Sequence, residues 1–134
     1  MHSGRVYKII DLPRAGLVVT ASEDRTVNLW SKATLGFVTA IHGNYHSGMM
    51  RAILAVKSDL DAEDEWLWTS DAAGKINAWQ IGVVSTASNR ARDTPLLVES
   101  VTLHSGDGVC SMCQAQDAGV MIGCDGTLLK LAPR

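Results

Sequence analysis

The cysteines and histidines are the residues whose types and spacing best suit chemistry. Cys110 and Cys113 form a C-x-x-C spacing with His104 and Cys124 nearby, a pattern compatible with zinc binding or thiol redox chemistry. The pair falls at the end of a predicted strand, where residues three apart point to opposite faces of a sheet. Because the chain has no second C-x-x-C, we expect small buried thiols and no metal.

A second histidine pair, His42 and His46, has the four-residue spacing of a helical metal site. Gly43, Asn44 and Gly48 make this segment a loop, so we expect no metal ion there either. The chain contains no Gly-x-Ser-x-Gly, P-loop or Gly-x-Gly-x-x-Gly motif and no carboxylate pair spaced for acid–base catalysis. The sequence therefore predicts neither an enzyme nor a cofactor.

The strongest pattern is a repeat. The tripeptide His-Ser-Gly begins at His2, His46 and His104, with spacings of 44 and 58 residues. Short apolar runs separated by polar turns follow each copy, and several of these runs alternate with period two, as strands do. A repeat length in the forties with strands of this kind is typical of a β-propeller blade.

The repeat predicts eleven strands and an all-β fold. Ser47–Leu60 is the best rival for a helix, but its position in the repeat favours a strand. The predicted strands are Val6–Ile10, Leu17–Ala21, Thr26–Trp30, Gly36–Ile41, Ala52–Val56, Trp66–Thr69, Lys75–Trp79, Leu97–Leu103, Val109–Met112, Val120–Gly123 and Leu128–Leu131.

The first unit, through Leu17–Trp30, resembles the WD-repeat (tryptophan–aspartate repeat) β-propeller family, and the resemblance extends over nearly the whole chain. Blades of that family carry a hydrogen-bonded tetrad of His, Ser or Thr, Asp and Trp. The matching residues are His2, Thr20, Asp24 and Trp30. The resemblance implies that these side chains link the outer part of the blade to the turn of its second hairpin.

The second unit departs from the family pattern at one position. His46, Thr69 and Trp79 match the tetrad, but Ala73 stands where the family has Asp. We expect Asp71, two residues earlier, to take its place with poorer geometry.

The third unit departs further. His104 and Asp125 match, whereas Met121 replaces the hydroxyl and Leu131 replaces the Trp. We therefore predict one propeller segment over residues 1–134, with three antiparallel four-stranded blades of which the last lacks its outer strand. The predicted blade units are residues 1–45, 46–103 and 104–134.

An arc of three blades does not close, because most propellers have about 4–8 blades. Two blade faces then remain uncovered, and repeat units depend on neighbours to bury such faces. The residues assigned to these faces are Leu17, Val19, Val27 and Leu29 in the first unit and Met121, Leu129 and Leu131 in the third. The sequence therefore predicts further blades, a partner protein or self-association through these faces.

Two insertions lengthen the second unit. Lys57–Glu65 holds five acids in its last seven residues, and Gly82–Pro95 is rich in serine and arginine. Both are predicted to be solvated loops. A cation site or a basic partner is the alternative for the first, and protein contact or phosphorylation at Ser85 or Ser88 for the second.

Charge and composition restrict the partners. The formal net charge of −2 gives no basic field for nucleic acid or an anionic membrane. No apolar run approaches the roughly 20 residues of a membrane span, and no signal peptide is recognisable. Three cysteines indicate reduced thiols and an intracellular location, either cytoplasmic or nuclear.

The function implied by the resemblance is binding. In WD-repeat proteins the rim around the central channel commonly receives peptides or partner proteins, and tyrosine and arginine dominate such interfaces. The residues at the corresponding positions are Tyr7, Glu23, Arg25, Tyr45, Arg51 and Asp71. We predict a non-catalytic protein–protein interaction or scaffold module of a multi-protein complex. The alternative is a truncated piece of a longer propeller with only a structural role.

Overall fold

The chain forms a partial β-propeller. The structure, a computed structural model, describes residues 2–41, 46, 48–56, 65–81, 96–102, 109–115, 119–124 and 127–131. These residues form eleven strands in three antiparallel sheets, which confirms the predicted all-β arc of blades. In this described part, no helix is long and apolar enough to cross a membrane.

Each sheet is a meander of strands that follow one another in the sequence. The first sheet contains β1 (Val6–Leu12), β2 (Leu17–Ser22), β3 (Val27–Ser31) and β4 (Phe37–Ile41). The second contains β5 (Met50–Val56), β6 (Glu65–Asp71), β7 (Lys75–Ile81) and β8 (Leu96–Thr102). The third contains, within the described residues, β9 (Val109–Ala115), β10 (Gly119–Cys124) and β11 (Thr127–Leu131).

The first strands of the sheets lie side by side. β1 and β2 pack against β5, and β5 and β6 pack against β9. This is the arrangement of propeller blades, in which the first strand of each blade lies nearest the central axis.

A β-bulge recurs at the same place in all three sheets. The register shifts between Val6 and Lys8 in β1, between Met50 and Ala52 in β5, and between the partners of Gly123 and Cys124 in β9. The residues left outside the register are Tyr7, Arg51 and Cys110. Each lies at the second position of its strand. We call the end of the sheets where these residues lie the bulge end.

The core between the first two sheets is apolar. The inner face of the first sheet packs against β5, β6 and β7, and each large side chain buried there contributes about 1.5–3 kcal/mol. Its buried members are Leu12, Ala15, Leu17, Val19, Ala21, Val27, Leu29, Ile41, Met50, Ile53, Leu67, Trp79 and Ile81.

This core corrects the assignment of the uncovered face in the first unit. Leu17, Val19, Val27 and Leu29 are fully buried against the second sheet. Strand alternation identifies two faces but does not say which one meets the next blade. The exposed face of the first sheet is the opposite one. The third-unit residues assigned to such a face lie outside the described side chains.

A second, smaller core joins the second and third sheets. Val56, Trp68 and Ile76 pack with Val120 and Ile122, both of which are fully buried. The two faces of the second sheet therefore each have an apolar neighbour, as expected for a blade between two others.

The first two sheets are also joined by a polar contact. The carboxylate of Glu65, at the start of β6, accepts hydrogen bonds from the backbone N–H groups of Arg14 at 2.7 Å and Ala15 at 3.2 Å. Arg14 and Ala15 lie in the turn between β1 and β2. The last residue of the predicted acidic loop is therefore a clamp between blades, because a carboxylate binds a pair of N–H donors well.

Replacing Glu65 with Gln is expected to lower the free energy of unfolding by about 1 kcal/mol, because the charge-assisted hydrogen bonds to Arg14 and Ala15 are weakened. Urea titration followed by tryptophan fluorescence measures this change. Asp11→Asn is the matched control, because it removes only an exposed ion pair with Lys32, worth about 0–1 kcal/mol. Equal stabilities of wild type and the Glu65 variant would contradict the clamp.

Candidate functional site

In the first sheet, four side chains form one hydrogen-bonded chain. The Trp30 Nε1–H donates to Thr20 Oγ1 at 2.9 Å, and Thr20 Oγ1 lies 2.6 Å from His2 Nε2. His2 Nδ1 lies 3.0 Å from Thr26 Oγ1 and 3.3 Å from Asp24 Oδ2. Because the indole can only donate, the Thr20 hydroxyl donates to Nε2 and the imidazole carries its proton on Nδ1, facing the carboxylate.

The second sheet repeats this chain. Trp79 Nε1 donates to Thr69 Oγ1 at 2.9 Å, Thr69 Oγ1 lies 2.7 Å from His46 Nε2, and His46 Nδ1 lies 2.9 Å from Asp71 Oδ2. The side chains of His46 and Asp71 are fully buried. In both sheets the donors run from the indole on the third strand to the carboxylate near the turn.

The expected poorer geometry of Asp71 is wrong, because its distance to the imidazole is shorter than that of Asp24. Asp71 stands where the first unit has Ser22, two residues after the threonine. Ser22 Oγ accepts from the N–H two residues later at 3.2 Å, and Asp71 Oδ1 makes the same contact with Ala73 at 2.9 Å. Asp71 therefore serves both the turn and the imidazole.

Both carboxylates titrate below their usual range. Burial alone would raise the pKa of Asp24, but hydrogen bonds from the Thr26 hydroxyl and from the backbone of Ser3 and Thr26, with the adjacent His2, hold this pKa well below the usual value. Burial would likewise raise the pKa of Asp71, and the contacts to His46, Lys75 N–H and Ala73 N–H lower it. Each turn therefore holds an ionised carboxylate at neutral pH.

The structure explains the glycine of the His-Ser-Gly tripeptide. A Cβ on Gly48 would lie 2.9 Å from the backbone nitrogen of Ala73, and one on Gly4 would lie 3.1 Å from that of Asp24. Next to these glycines, the Arg5 carbonyl accepts from Glu23 N–H and the Met49 carbonyl accepts from Ala72 N–H, each at 2.9 Å. The tripeptide thus packs directly on the turn that follows the second strand.

The same turns require a left-handed backbone. Arg25 has φ of 70° and Gly74, at the equivalent position, has φ of 91°. A non-glycine residue in this region costs roughly 1–2 kcal/mol, so the hydrogen bonds around Asp24 hold Arg25 in a strained conformation.

The predicted rim residues differ in their exposure to solvent. Tyr7 is 45% exposed and its hydroxyl donates to Glu23 Oε2 at 3.2 Å. Arg25 and Arg51 are exposed at the bulge end. The prediction that Asp71 lies on the rim is wrong, because its carboxylate is fully buried in the network and cannot contact a partner.

Some predicted residues fall outside the described part of the chain, namely Tyr45, His104, Asp125 and His42. The described thiol, Cys113, is exposed, which corrects the expectation of a buried cysteine. No group of three or more His, Cys, Asp or Glu side chains within the described ranges is arranged to hold a metal ion.

Sequence reasoning missed the contact of Glu65 between the sheets and the packing of Gly4 and Gly48 on the turns. Glu65 was assigned to a solvated loop, and nothing in an acidic run signals that its last member bridges two blades. The repeated glycine at Gly4 and Gly48 was a visible signal, since it follows the histidine at the same spacing in both units.

The outer face of the first sheet is open, whereas the equivalent face of the second sheet is covered. Ile9 lies opposite Thr20 and is 63% exposed, but Ile53 lies opposite Thr69 and is 2% exposed. The difference arises because the first sheet packs on Ile53. On β4, at the other edge of the sheet, Phe37 is also exposed and meets Trp30 edge to face, with ring centroids 5.7 Å apart.

Comparison with known proteins supports the fold and goes no further. No family model matches the sequence, and no curated protein matches it. The computationally designed Ika4 protein matches with a TM-score of 0.64 and 19% identity, over 96% of this chain and 66% of that chain. The WD40 β-propeller domain of Doa1 matches with a TM-score of 0.63 and 14% identity, over 96% of this chain and 36% of that one.

These two structures define the class of the fold. The chain is similar to a WD40 β-propeller domain and to a designed protein, and it spans less than two thirds of the length of either. At such identities the likeness establishes architecture alone.

The two carboxylates make the free energy of unfolding depend on pH in the acid range. An unfolded aspartate has a pKa of about 3.9, so below that pH the unfolded chain binds protons that folded Asp24 and Asp71 do not. The free energy of unfolding is therefore expected to be maintained above about pH 4 and to fall as the pH falls below it.

The Asp71→Asn variant is expected to lose about 2 kcal/mol at neutral pH and to show a shallower loss of stability in acid. Asp24→Asn is the comparison and should have a smaller effect, because the Asp24 side chain is 12% exposed and that of Asp71 is 0% exposed. Urea titrations at a series of pH values measure both changes. An unaltered acid slope in the Asp71 variant would refute this role.

Proposed function

We propose that this chain is a non-catalytic protein-interaction module, of the WD-repeat type, which contributes its bulge end to a multi-protein complex. The main support for this proposal is the β-bulge that recurs near the start of the first strand of each sheet, at Tyr7, Arg51 and Cys110. A bulged residue such as Tyr7 or Arg51 is not held in a regular ladder pair, so its side chain can be turned toward a ligand. The proposed location of such a module is intracellular.

The residues around the bulges support binding to protein. Tyr7 and Met49 are 45% and 39% exposed, and Arg51 is exposed at the repeat position equivalent to that of Tyr7. Aromatic, methionine and arginine side chains are enriched in protein interfaces. The turns that carry Glu23 and Arg25 are fixed by the buried networks, so the surface is already organised before a partner binds.

A peptide selection tests this proposal. A displayed random-peptide library is panned on the immobilised protein, and the recovered peptides are measured against Tyr7→Ala and Arg51→Ala variants. We expect both substitutions to weaken binding at least ~10-fold, since interface tyrosine and arginine carry much of the binding energy. Arg14→Ala, an exposed arginine in the turn after β1, is the matched control. Recovered peptides that bind the rim variants as tightly as wild type would refute the proposal.

A second candidate function is structural, and the open face of the first sheet favours it. That face carries the same threonine, tryptophan and isoleucine positions that the second sheet buries against its neighbour. Its natural complement is the apolar inner face of another blade. Such a blade would come from a longer propeller or from a second copy of the chain.

Sedimentation analysis of the purified chain tests this second function. We expect concentration-dependent self-association that Ile9→Glu reduces, because a charge on the open face opposes burial. Val98→Glu, an equally drastic change at an exposed residue of β8, should leave association unchanged. A cooperatively folding monomer at all concentrations would contradict the need for a covering blade.

A further inference from the structure

The bulge end exposes several cations. Arg5, Arg25 and Arg51 are all exposed. Within the described part of the chain, the ion pairs are His2–Asp24, Lys32–Asp11 and His46–Asp71, and none of them includes these three arginines.

Three acids of the described residues at the same end, Glu23, Asp24 and Asp71, are engaged in hydrogen bonds. Asp24 accepts hydrogen bonds from Ser3 and Thr26, and Asp71 accepts them from Ala73 and Lys75. Each also faces an imidazole and is shielded from solvent. Glu23 accepts the Tyr7 hydroxyl and is half-buried. These carboxylates keep their negative charge, but they are held by contacts within the chain, whereas the three guanidinium groups reach solvent and can pair with the carboxylates of a ligand.

The three arginines belong to one surface. The Arg5 carbonyl accepts the Glu23 N–H, which places Arg5 beside the turn that holds Arg25. β1 and β2 pack against β5, the strand that carries Arg51 at its bulge.

The contact of Glu65 with Arg14 and Ala15 shows which ends of β1 and β5 lie next to each other. It joins the start of β6 to the turn after β1, so the far ends of β1 and β5 lie together. Their bulged ends, with the arginines, consequently lie together at the opposite end.

Exposed apolar side chains adjoin the arginines. Val6, Tyr7 and Met49 are exposed at the same strand ends. The surface thus combines guanidinium groups, which bind carboxylates in a bidentate fashion, with apolar contact area.

We propose that the bulge end binds an acidic protein segment whose carboxylates pair with Arg5, Arg25 and Arg51 and whose apolar side chains contact Tyr7 and Met49. This inference rests on the proposed interaction function and adds the chemistry of the partner. A peptide fits better than a nucleic acid, because the basic region is local and the chain as a whole is acidic.

Fluorescence anisotropy with matched probes tests the proposal. One labelled peptide repeats Glu-Ala-Tyr-Glu, and its counterpart has Gln in place of every Glu. We expect the glutamate peptide to bind at least ~10-fold more tightly, and to lose this advantage at about 0.3 M salt, where charges are screened within several ångströms. A labelled single-stranded oligonucleotide is the third probe.

The variant for this test replaces Arg5, Arg25 and Arg51 with Gln, and the matched control replaces Arg14 with Gln. The triple variant should lose the preference for glutamate and the control should keep it, with circular dichroism showing that both are folded. Equal binding of the two peptides, an unchanged preference in the triple variant, or tighter binding of the oligonucleotide would each overturn the proposal.

The outcomes also separate this inference from the proposed function. If both peptides bind equally and Tyr7→Ala still weakens them, the acidic partner is refuted and the interaction surface stands. If the selected library peptides themselves ignore Tyr7 and Arg51, the proposed function fails as well.

Discussion

The structure depends on one constraint, which is that a polar side chain buried between stacked sheets is costly unless it is hydrogen-bonded. An unpartnered buried donor or acceptor costs about 1–3 kcal/mol. The chain meets this constraint with a run of donors and acceptors from tryptophan through threonine and histidine to an ionised aspartate. Because the aspartate also accepts backbone N–H groups of the turn, the same network that fills the blade sets the shape of its surface.

The two networks show that a carboxylate can reach the imidazole from two different positions in the repeat. Asp24 and Asp71 differ by two residues in their alignment, yet both reach the imidazole Nδ1. In the first sheet the contacts to the turn and to the imidazole involve two residues, because Ser22 and Asp24 each accept a turn N–H and Asp24 also faces the imidazole. In the second sheet Asp71 makes both, and it is the more deeply buried of the two.

The strands could be predicted from the sequence because alternation and turn residues are local properties. Strand β5 is found where the repeat, and not the helical pattern of Ser47–Leu60, predicted it. The face of the first sheet that contacts the second could not be predicted, because the alternation of Leu17 and Val19 shows that they share an apolar face but not what covers it. The contact of Glu65 with Arg14 joins residues 51 positions apart and cannot be recognised from the local sequence. The short distance from Asp71 to His46 could not be predicted, because the sequence does not show how the turn brings this carboxylate to the imidazole.

The repeated bulge has a consequence for how this architecture can change. Tyr7, Arg51 and Cys110 occupy one structural position and are chemically unlike one another. Since that position contributes no regular ladder pair, the fold sets few conditions on the residue found there. Under the proposed function, recognition and folding depend on different residues, so substitutions at the bulges can exchange one partner for another while the histidine networks continue to hold the blades.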